Sequence, residues 1–282
     1  MRAGLAVMAV MAGMGAGSAM AEESVLVLDQ GIAATLNMPA GEGPHPAVLM
    51  LHGFGSSRDE VGGMYAQEAA ALAEQGIASL RIDFRGFGKS DGDTGEHSVT
   101  RQNEDAAIGL AALAALAATA GVDAARIGVL GFSFGGGAGI ELAAANPDVV
   151  KALVTWSSVG DYDVDFLQSL GQETFDRAAA EGIVALDLGF RTMALKSGFF
   201  ESLSGPDILA ALATYAGPYL SVTGSEDYYV QYSAPMLEAA KGSPKEALVI
   251  DGADHIFNVF DPATSSVATV IEATTAFFAA NL

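Results

Sequence analysis

The chain has 282 residues, 51% of them hydrophobic, and its 34 acidic residues against 13 Lys and Arg give a formal net charge of −21. This apolar content excludes a disordered chain, while the negative charge disfavours nucleic acid or an anionic membrane surface as partner. Because the chain has no cysteine, disulfides, zinc–thiolate sites and cysteine nucleophiles are excluded as well.

The first 21 residues differ in composition from the rest of the chain. Arg2 is followed by an uncharged run of Ala, Met, Val and Gly that ends with the small residues Ala19 and Ala21. This pattern predicts a secretory signal peptide cleaved before Glu22, and hence a periplasmic or secreted protein with no membrane attachment after cleavage. The alternative is an uncleaved anchor, although the run is only about as long as the shortest spanning helix.

From residue 22 onward, short apolar runs alternate with longer Ala-rich amphipathic segments, which is typical of a mostly parallel sheet covered by helices. The predicted strands are residues 24–28, 33–38, 47–51, 78–82, 127–130, 152–156, 219–222 and 247–250. The clearest predicted helices are residues 58–74, 102–118, 134–145, 233–241 and 265–280. The sequence therefore predicts an α/β fold with an eight-stranded sheet, in one domain of residues 22–282.

One segment interrupts this alternation. Residues 162–217 separate the sixth and seventh predicted strands, which a single helix would otherwise connect. We interpret the segment as a small helical cap inserted after strand 6.

A G-x-S-x-G sequence spans Gly131 to Gly135, between the strand 127–130 and the helix that begins at residue 134. In this context the serine lies on a strained tight turn, and the flanking glycines remove Cβ atoms that would collide with nearby backbone. The helix N-terminus also favours developing negative charge beside the Ser133 hydroxyl. We therefore expect Ser133 to be a nucleophile; the alternative is that it only caps the helix.

A serine nucleophile needs a base, usually a histidine oriented by a carboxylate. Of the four histidines, His45 and His97 have no special context and His52 ends a strand, where a structural role is expected. His255 follows the last strand, and ligands bind at the carboxyl ends of the strands in open parallel sheets. The same rule selects Asp227 as the acid, with Glu226 as the second choice.

The order Ser133, Asp227, His255 is the order of α/β-hydrolases and differs from those of chymotrypsin and subtilisin. Acyl transfer also needs two donors for the oxyanion, commonly the N–H after the nucleophile and an N–H from the loop after an earlier strand. Here these are the backbone N–H groups of Phe134 and Phe54.

The chain resembles serine hydrolases of the α/β-hydrolase superfamily, and within it the cinnamoyl/feruloyl esterase and serine-aminopeptidase-like group. The motifs that carry the resemblance are HGFGS at 52–56, DFRGFGKSDG at 83–92, GFSFGG at 131–136, GSED at 224–227 and ADH at 253–255. The resemblance implies a triad of Ser133, Asp227 and His255, oxyanion amides at Phe54 and Phe134, and a small cap at 162–217.

The expected function is a secreted serine carboxylesterase that acts on a small-molecule ester through an acyl-enzyme, with no cofactor or metal, as a monomer or homodimer. The acyl group is expected to be aromatic, of the cinnamoyl or feruloyl type, or short. Aromatic residues of the cap either bind it or attach the cap to the body: Tyr162, Phe166, Phe175, Phe190, Phe199, Phe200 and Tyr215.

Two other functions fit the same residues. An exopeptidase would hold the free amine of a peptide through an acidic side chain of the cap, with Glu181, Asp187 and Glu201 as candidates. A catalytically silent protein would use the fold to hold a small apolar ligand. The complete set of serine, acid and histidine argues against the silent protein.

Overall fold

The computed structural model describes residues 21–282. The predicted signal peptide lies outside the described residues, apart from Ala21. Within the described part, no helix combines the length and the apolar character that crossing a membrane requires.

The core of the molecule is an eight-stranded sheet. Its strands are β1 (Glu22–Val27), β2 (Ala33–Met38), β3 (His45–Leu51), β4 (Ala78–Ile82), β5 (Val122–Phe132), β6 (Val150–Trp156), β9 (Tyr219–Gly224) and β10 (Lys245–Ile250). They lie side by side in the order β1-β2-β4-β3-β5-β6-β9-β10. β2 pairs antiparallel with β1 and β4, and all other neighbours are parallel. The predicted mostly parallel eight-stranded sheet is confirmed.

Helices cover both faces of this sheet. They are α1 (Met64–Glu74), α2 (Val99–Ala115), α3 (Phe134–Ala145), α4 (Tyr162–Leu170), α5 (Gln172–Glu181), α6 (Ser197–Leu203), α7 (Ile208–Leu212), α8 (Ser233–Ala239) and α9 (Val267–Asn281). The apolar residues of α1 and α9 pack in one buried cluster, and those of α2, α3, α7 and α8 pack in the other. All five predicted helices are present; α3 has the predicted ends, and each of the other four is shifted at one end or both.

The largest shift is at α1, which begins at Met64 rather than at residue 58. Gly62 and Gly63 have φ of 61° and 70°, and Glu60 also has φ of 61°. Left-handed backbone at these positions cannot continue a right-handed helix, so residues 58–63 instead form a loop and a short 3-10 helix over Val61–Gly63.

The inserted segment contains a hairpin as well as helices, which differs from the predicted helical cap. After α4 and α5, β7 (Ile183–Asp187) pairs antiparallel with β8 (Thr192–Lys196). Every second residue of each strand is buried, the two-residue period of a half-buried strand. Helix α6 follows, whereas α7 packs on α3 and α8 of the body. The cap is therefore a mixed α and β insertion.

Candidate active site

Ser133 lies in a sharp turn between the end of β5 and the start of α3. Its φ of 54° and ψ of −118° are unusual for a residue with a side chain. A Cβ at Gly131 would overlap the backbone of Gly135, and a Cβ at Gly135 would overlap the carbonyl oxygens of Leu51 and His52. The Ser133 side chain makes no capping hydrogen bond to α3, so the alternative role of helix cap finds no support.

The three side chains selected from the sequence lie in one line. His255 Nε2 is 3.1 Å from Ser133 Oγ, and His255 Nδ1 is 3.1 Å from Asp227 Oδ1. A carboxylate only accepts hydrogen bonds, so Nδ1 carries the imidazole proton and Nε2 is left to accept the serine proton. The Asp227 side chain is buried, whereas the imidazole is 37% exposed.

The loops that carry Asp227 and His255 touch each other through their backbones. The Glu226 N–H donates to the Ala253 carbonyl (2.9 Å), and a Cβ at Gly224 would overlap that same carbonyl. The Glu226 side chain is exposed, which leaves Asp227 as the acid that faces His255. Asp254 accepts from the N–H groups of two following residues, Ile256 at 3.0 Å and Asn258 at 2.7 Å.

The loop after β3 carries the first predicted oxyanion amide, that of Phe54. His52 Nδ1–H donates to the Gly53 carbonyl (2.8 Å), and His52 Nε2 accepts from the Phe84 N–H (3.0 Å). Burial lowers the pKa of His52, despite the opposing effect of the Glu60 carboxylate, which keeps the ring neutral in this arrangement. The other predicted amide, Phe134, is the first residue of α3, where helical N–H groups have no intrahelical acceptor.

Four phenylalanine rings form an aromatic cluster where the cap meets the body: Phe54 and Phe134 from the body, and Phe166 and Phe199 from the cap. Their ring centroids lie 5.1 to 6.1 Å apart. Both predicted oxyanion amides thus belong to residues whose side chains line the interface between cap and body.

The other aromatic residues of the cap are distributed more widely. Tyr162 packs on Phe134 at 5.0 Å, and the rings of Phe175 and Phe200 pack on each other. Tyr215 donates to the Val150 carbonyl in the body (3.3 Å), and Phe190 is 73% exposed at the tip of the hairpin. Some cap aromatics therefore attach the cap, and others lie beside the candidate site.

His97 is buried against the aromatic cluster, although its neighbours in sequence are polar. Its ring lies 5.6 Å from that of Phe134 and 4.7 Å from that of Phe87. Burial, with smaller contributions from His52 and Arg101, lowers the pKa of His97 to about 3. Nothing in the local sequence marks this histidine as buried, because its burial depends on packing with Phe87 and the cap.

A hydrogen bond that the sequence does not reveal joins the cap to the segment that follows Asp227. Asp165 of α4 accepts from the Tyr232 hydroxyl (2.6 Å) and from the Gly160 N–H (3.1 Å). Tyr229 donates its N–H to Asp227 Oδ1 (3.1 Å), and its ring lies 5.1 Å from the His255 ring. These residues follow the acid in sequence and shape the wall beside the base.

The three acidic residues considered for an exopeptidase lie on the surface of the cap. Glu181 pairs with Arg177 at 3.2 Å, and Asp187 accepts from the Gly189 N–H. Glu201 is exposed. Within residues 21–282, no cluster of three or more His, Asp or Glu side chains is arranged to hold a metal ion.

The family model described as serine aminopeptidase, S33, matches residues 42–193. This range covers more than half of the chain and includes Phe54 and Ser133. Asp227 and His255 lie beyond its end.

Comparison with curated proteins finds relatives over part of the chain. An uncharacterized 31.7 kDa protein in the traX-finO intergenic region of Escherichia coli is 35% identical over 137 residues, 49% of this chain and 46% of that protein. Esterase FrsA of Klebsiella pneumoniae is 31% identical over 122 residues, 43% of this chain and 27% of that protein. The matched regions span less than half the length of these relatives.

A solved structure matches nearly the whole fold. Est1E from Butyrivibrio proteoclasticus, with ferulic acid bound, superposes with a TM-score of 0.73. The match covers 91% of this chain and 96% of that chain at 23% sequence identity. At this level of identity the likeness shows a shared fold.

Proposed function

The chain belongs to the serine aminopeptidase (S33) family of α/β hydrolases, and from this premise we propose that it hydrolyses carboxylic esters through an acyl-enzyme. One observation carries the proposal. The line Asp227 Oδ1, His255 Nδ1, His255 Nε2, Ser133 Oγ has both of its hydrogen-bond distances at 3.1 Å, the arrangement that activates a serine hydroxyl.

In the first half of the reaction, Ser133 Oγ attacks the ester carbonyl while its proton passes to His255 Nε2. Asp227 stabilises the imidazolium that forms and holds its Nδ1–H. The carbonyl oxygen becomes an oxyanion that accepts from the N–H groups of Phe54 and Phe134. The C–O bond to the alcohol then breaks, and His255 gives its proton to the departing alkoxide oxygen.

In the second half, water takes the place of the alcohol. His255 accepts a proton from water, the hydroxide attacks the acyl carbonyl, and the same two amides hold the second oxyanion. The bond to Ser133 Oγ breaks, the serine recovers its proton from His255, and the carboxylic acid leaves. Every proton transfer in this scheme is to or from His255.

The proposed substrates are small esters with an aromatic acyl group, of the cinnamoyl or feruloyl type, or a short acyl group. The aromatic cluster supports this, because the two residues whose amides are proposed to hold the oxyanion carry apolar rings that pack on each other at 5.6 Å, and aromatic side chains favour an apolar or aromatic acyl group. The ferulic acid held by the structural neighbour Est1E is consistent with the same choice.

The family description favours a second candidate, removal of an N-terminal residue from a peptide by the same serine. Aminoacyl-anilides assayed beside acyl esters at equal enzyme concentration separate the two activities. Preference for a free α-amino group would replace the ester proposal with the peptidase.

The experiment for the ester activity is hydrolysis of p-nitrophenyl acetate by the wild type and by Ser133→Ala. We expect the variant to lose turnover and to keep its circular dichroism spectrum and its melting temperature. A fluorophosphonate probe should label the wild type and leave the variant unlabelled. Retained turnover in Ser133→Ala would remove the assignment of the nucleophile, and an unlabelled wild type would revive the silent binding protein.

We also propose that the chain is exported and its first 21 residues removed. Fractionation of expressing cells, with N-terminal sequencing of the mature protein, tests this. The expected result is a periplasmic or secreted protein that starts at Glu22.

A further inference from the structure

Glu60 is a buried acid just after the loop that carries the Phe54 amide. It is 7% exposed, and its carboxylate accepts three hydrogen bonds, all from neutral donors. They come from the Gly53 N–H (2.7 Å), the Ser56 hydroxyl (2.6 Å) and the Val61 N–H (2.8 Å). The first two donors belong to the loop 53–56, so a single carboxylate holds both ends of this loop.

The backbone conformation of Glu60 is strained for a residue that has a side chain. Its φ of 61° and ψ of 171° lie in a region that essentially only glycine adopts. Glycine would take this conformation without strain, but it would have no carboxylate. Strain of this kind persists where the surroundings fix it, and it is concentrated at functional sites.

The loop that Glu60 holds lies directly against the nucleophile. A Cβ at Gly53 would be 3.4 Å from the Ser133 Cβ. The peptide group that joins residues 53 and 54 contains the Gly53 carbonyl, which His52 fixes, and the Phe54 N–H. The Gly53 carbonyl also accepts from the Ser56 N–H (3.2 Å), so rotation of this peptide group would break both hydrogen bonds to that carbonyl. Glu60 holds the preceding peptide group through the Gly53 N–H and holds the far end of the loop through the Ser56 hydroxyl.

The cap holds the other side of the same loop. Arg191, in the turn between β7 and β8, donates to the Gly55 carbonyl (3.0 Å), and its guanidinium lies 5.2 Å from the centre of the Phe87 ring. Glu60 thus fixes the loop from the body while Arg191 closes over it from the cap.

We propose that Glu60 is a positioning residue of the oxyanion hole: its carboxylate holds Gly53 and Ser56 so that the Phe54 N–H faces the carbonyl that Ser133 attacks. The inference rests on the proposed ester hydrolysis. It adds a residue that touches neither substrate nor the triad and that acts only through the loop 53–56.

The test compares the wild type with Glu60→Gln and Glu60→Gly in the full chain. Glutamine keeps one acceptor oxygen, whereas glycine relieves the backbone strain and removes every acceptor. Because a misplaced oxyanion donor weakens the transition state more than substrate binding, we expect kcat for p-nitrophenyl acetate to fall about 10- to 100-fold. The fall should be larger in Glu60→Gly, with KM within about threefold of the wild type.

Inhibition by phenylboronic acid separates positioning from a purely structural role. The tetrahedral serine adduct places one oxygen where the oxyanion forms, so its inhibition constant should rise in parallel with the loss of kcat. Asp59→Asn is the matched control, because Asp59 is the neighbouring acid, pairs with Arg81 at 2.8 Å and makes no hydrogen bond or ion pair with the loop 53–56. We expect the control to keep the wild-type kcat and inhibition constant.

Fluorophosphonate labelling separates failure of this inference from failure of the proposed function. If the wild type and both Glu60 variants are labelled to one equivalent, the serine works and the comparison of kcat is valid. Unchanged or faster turnover in folded, fully labelled Glu60→Gly would overturn the positioning role. So would a loss of kcat with an unchanged boronate constant. A wild type that is never labelled would instead overturn the ester hydrolase.

Discussion

Replacing Asp227 with Asn tests what the acid contributes to catalysis. Oδ1 accepts from His255 Nδ1 and from the Tyr229 N–H, each at 3.1 Å, whereas Oδ2 has no hydrogen-bond partner among the described residues. An asparagine can place its amide oxygen at Oδ1 and its NH2 group at the position of Oδ2. The imidazole would then keep its orientation and tautomer, and the substitution would remove only the negative charge.

The size of the loss follows from the attraction between that charge and the imidazolium. Two unit charges about 4 Å apart attract by about 4 kcal/mol at an effective dielectric constant of 20. Because the His255 side chain is 37% exposed, water screens this attraction, and we take a range of about 2–4 kcal/mol. At about 1.4 kcal/mol for each factor of ten, kcat/KM should fall about 30- to 1000-fold.

The assay is the initial rate of p-nitrophenyl acetate hydrolysis at pH 8, where esterase rates are readily followed. Glu226→Gln is the matched control, because it neutralises an exposed acid next in sequence and should stay within twofold of the wild type. A loss of about 10⁴ in Asp227→Asn would mean that the amide reverses the tautomer. A loss below tenfold would mean that His255 does not depend on Asp227. Either result would contradict the expected electrostatic role of Asp227.

Three further predictions concern stability. Burial raises the pKa of Glu68 well above its usual range, so its ionisation opposes folding once the pH rises above the pKa that Glu68 has in the unfolded chain. Glu68→Gln should therefore raise the melting temperature at pH 8 and change it little at pH 4. An equal shift at both pH values would contradict this. Gly135→Ala should lower the free energy of unfolding in urea by about 3 kcal/mol, because the new Cβ would overlap backbone atoms. Gly198→Ala is the control: no atom lies within 4 Å of its Cβ position, so the change should be neutral or stabilising by up to about 1 kcal/mol. Tyr232→Phe leaves the Asp165 carboxylate, 2% exposed, without its hydroxyl donor, and should lower the free energy of unfolding by about 1–3 kcal/mol in the same measurement. An unchanged free energy of unfolding would contradict the anchoring role.

The sheet, and the meeting of Ser133, Asp227 and His255 at one of its edges, can be predicted from the sequence because both depend on local patterns. Each strand of the sheet is a short apolar run, and Ser133, Asp227 and His255 each follow such a run within a few residues. Since parallel strands end at one edge, knowing where strands end is enough to bring three distant residues together. The geometry of the turn at Ser133 follows from the glycines around it.

Other features of the site depend on contacts that no local pattern contains. Glu60 looks like a surface acid at the start of a helix, and its role arises from a left-handed backbone that turns its carboxylate back to Gly53. His97 lies in a polar stretch, yet Phe54, Phe134 and Phe199 enclose it. The hairpin of the cap does not stand out in the sequence, because its two strands are five residues each, too short for the two-residue period to be distinctive.

The backbone contact between Gly224 and Ala253 has a consequence for how such a chain diversifies. The contact joins two loops on neighbouring strands, and the residues of α4, α5, β7, β8 and α6 contribute nothing to it. Natural variation or deliberate chimeras that exchange the whole insertion would remove the hydrogen bond from Tyr232 to Asp165, but they would leave this backbone contact between the loops of Asp227 and His255 in place. Substrate selectivity can therefore change through the insertion while the loops that carry Asp227 and His255 keep their contact.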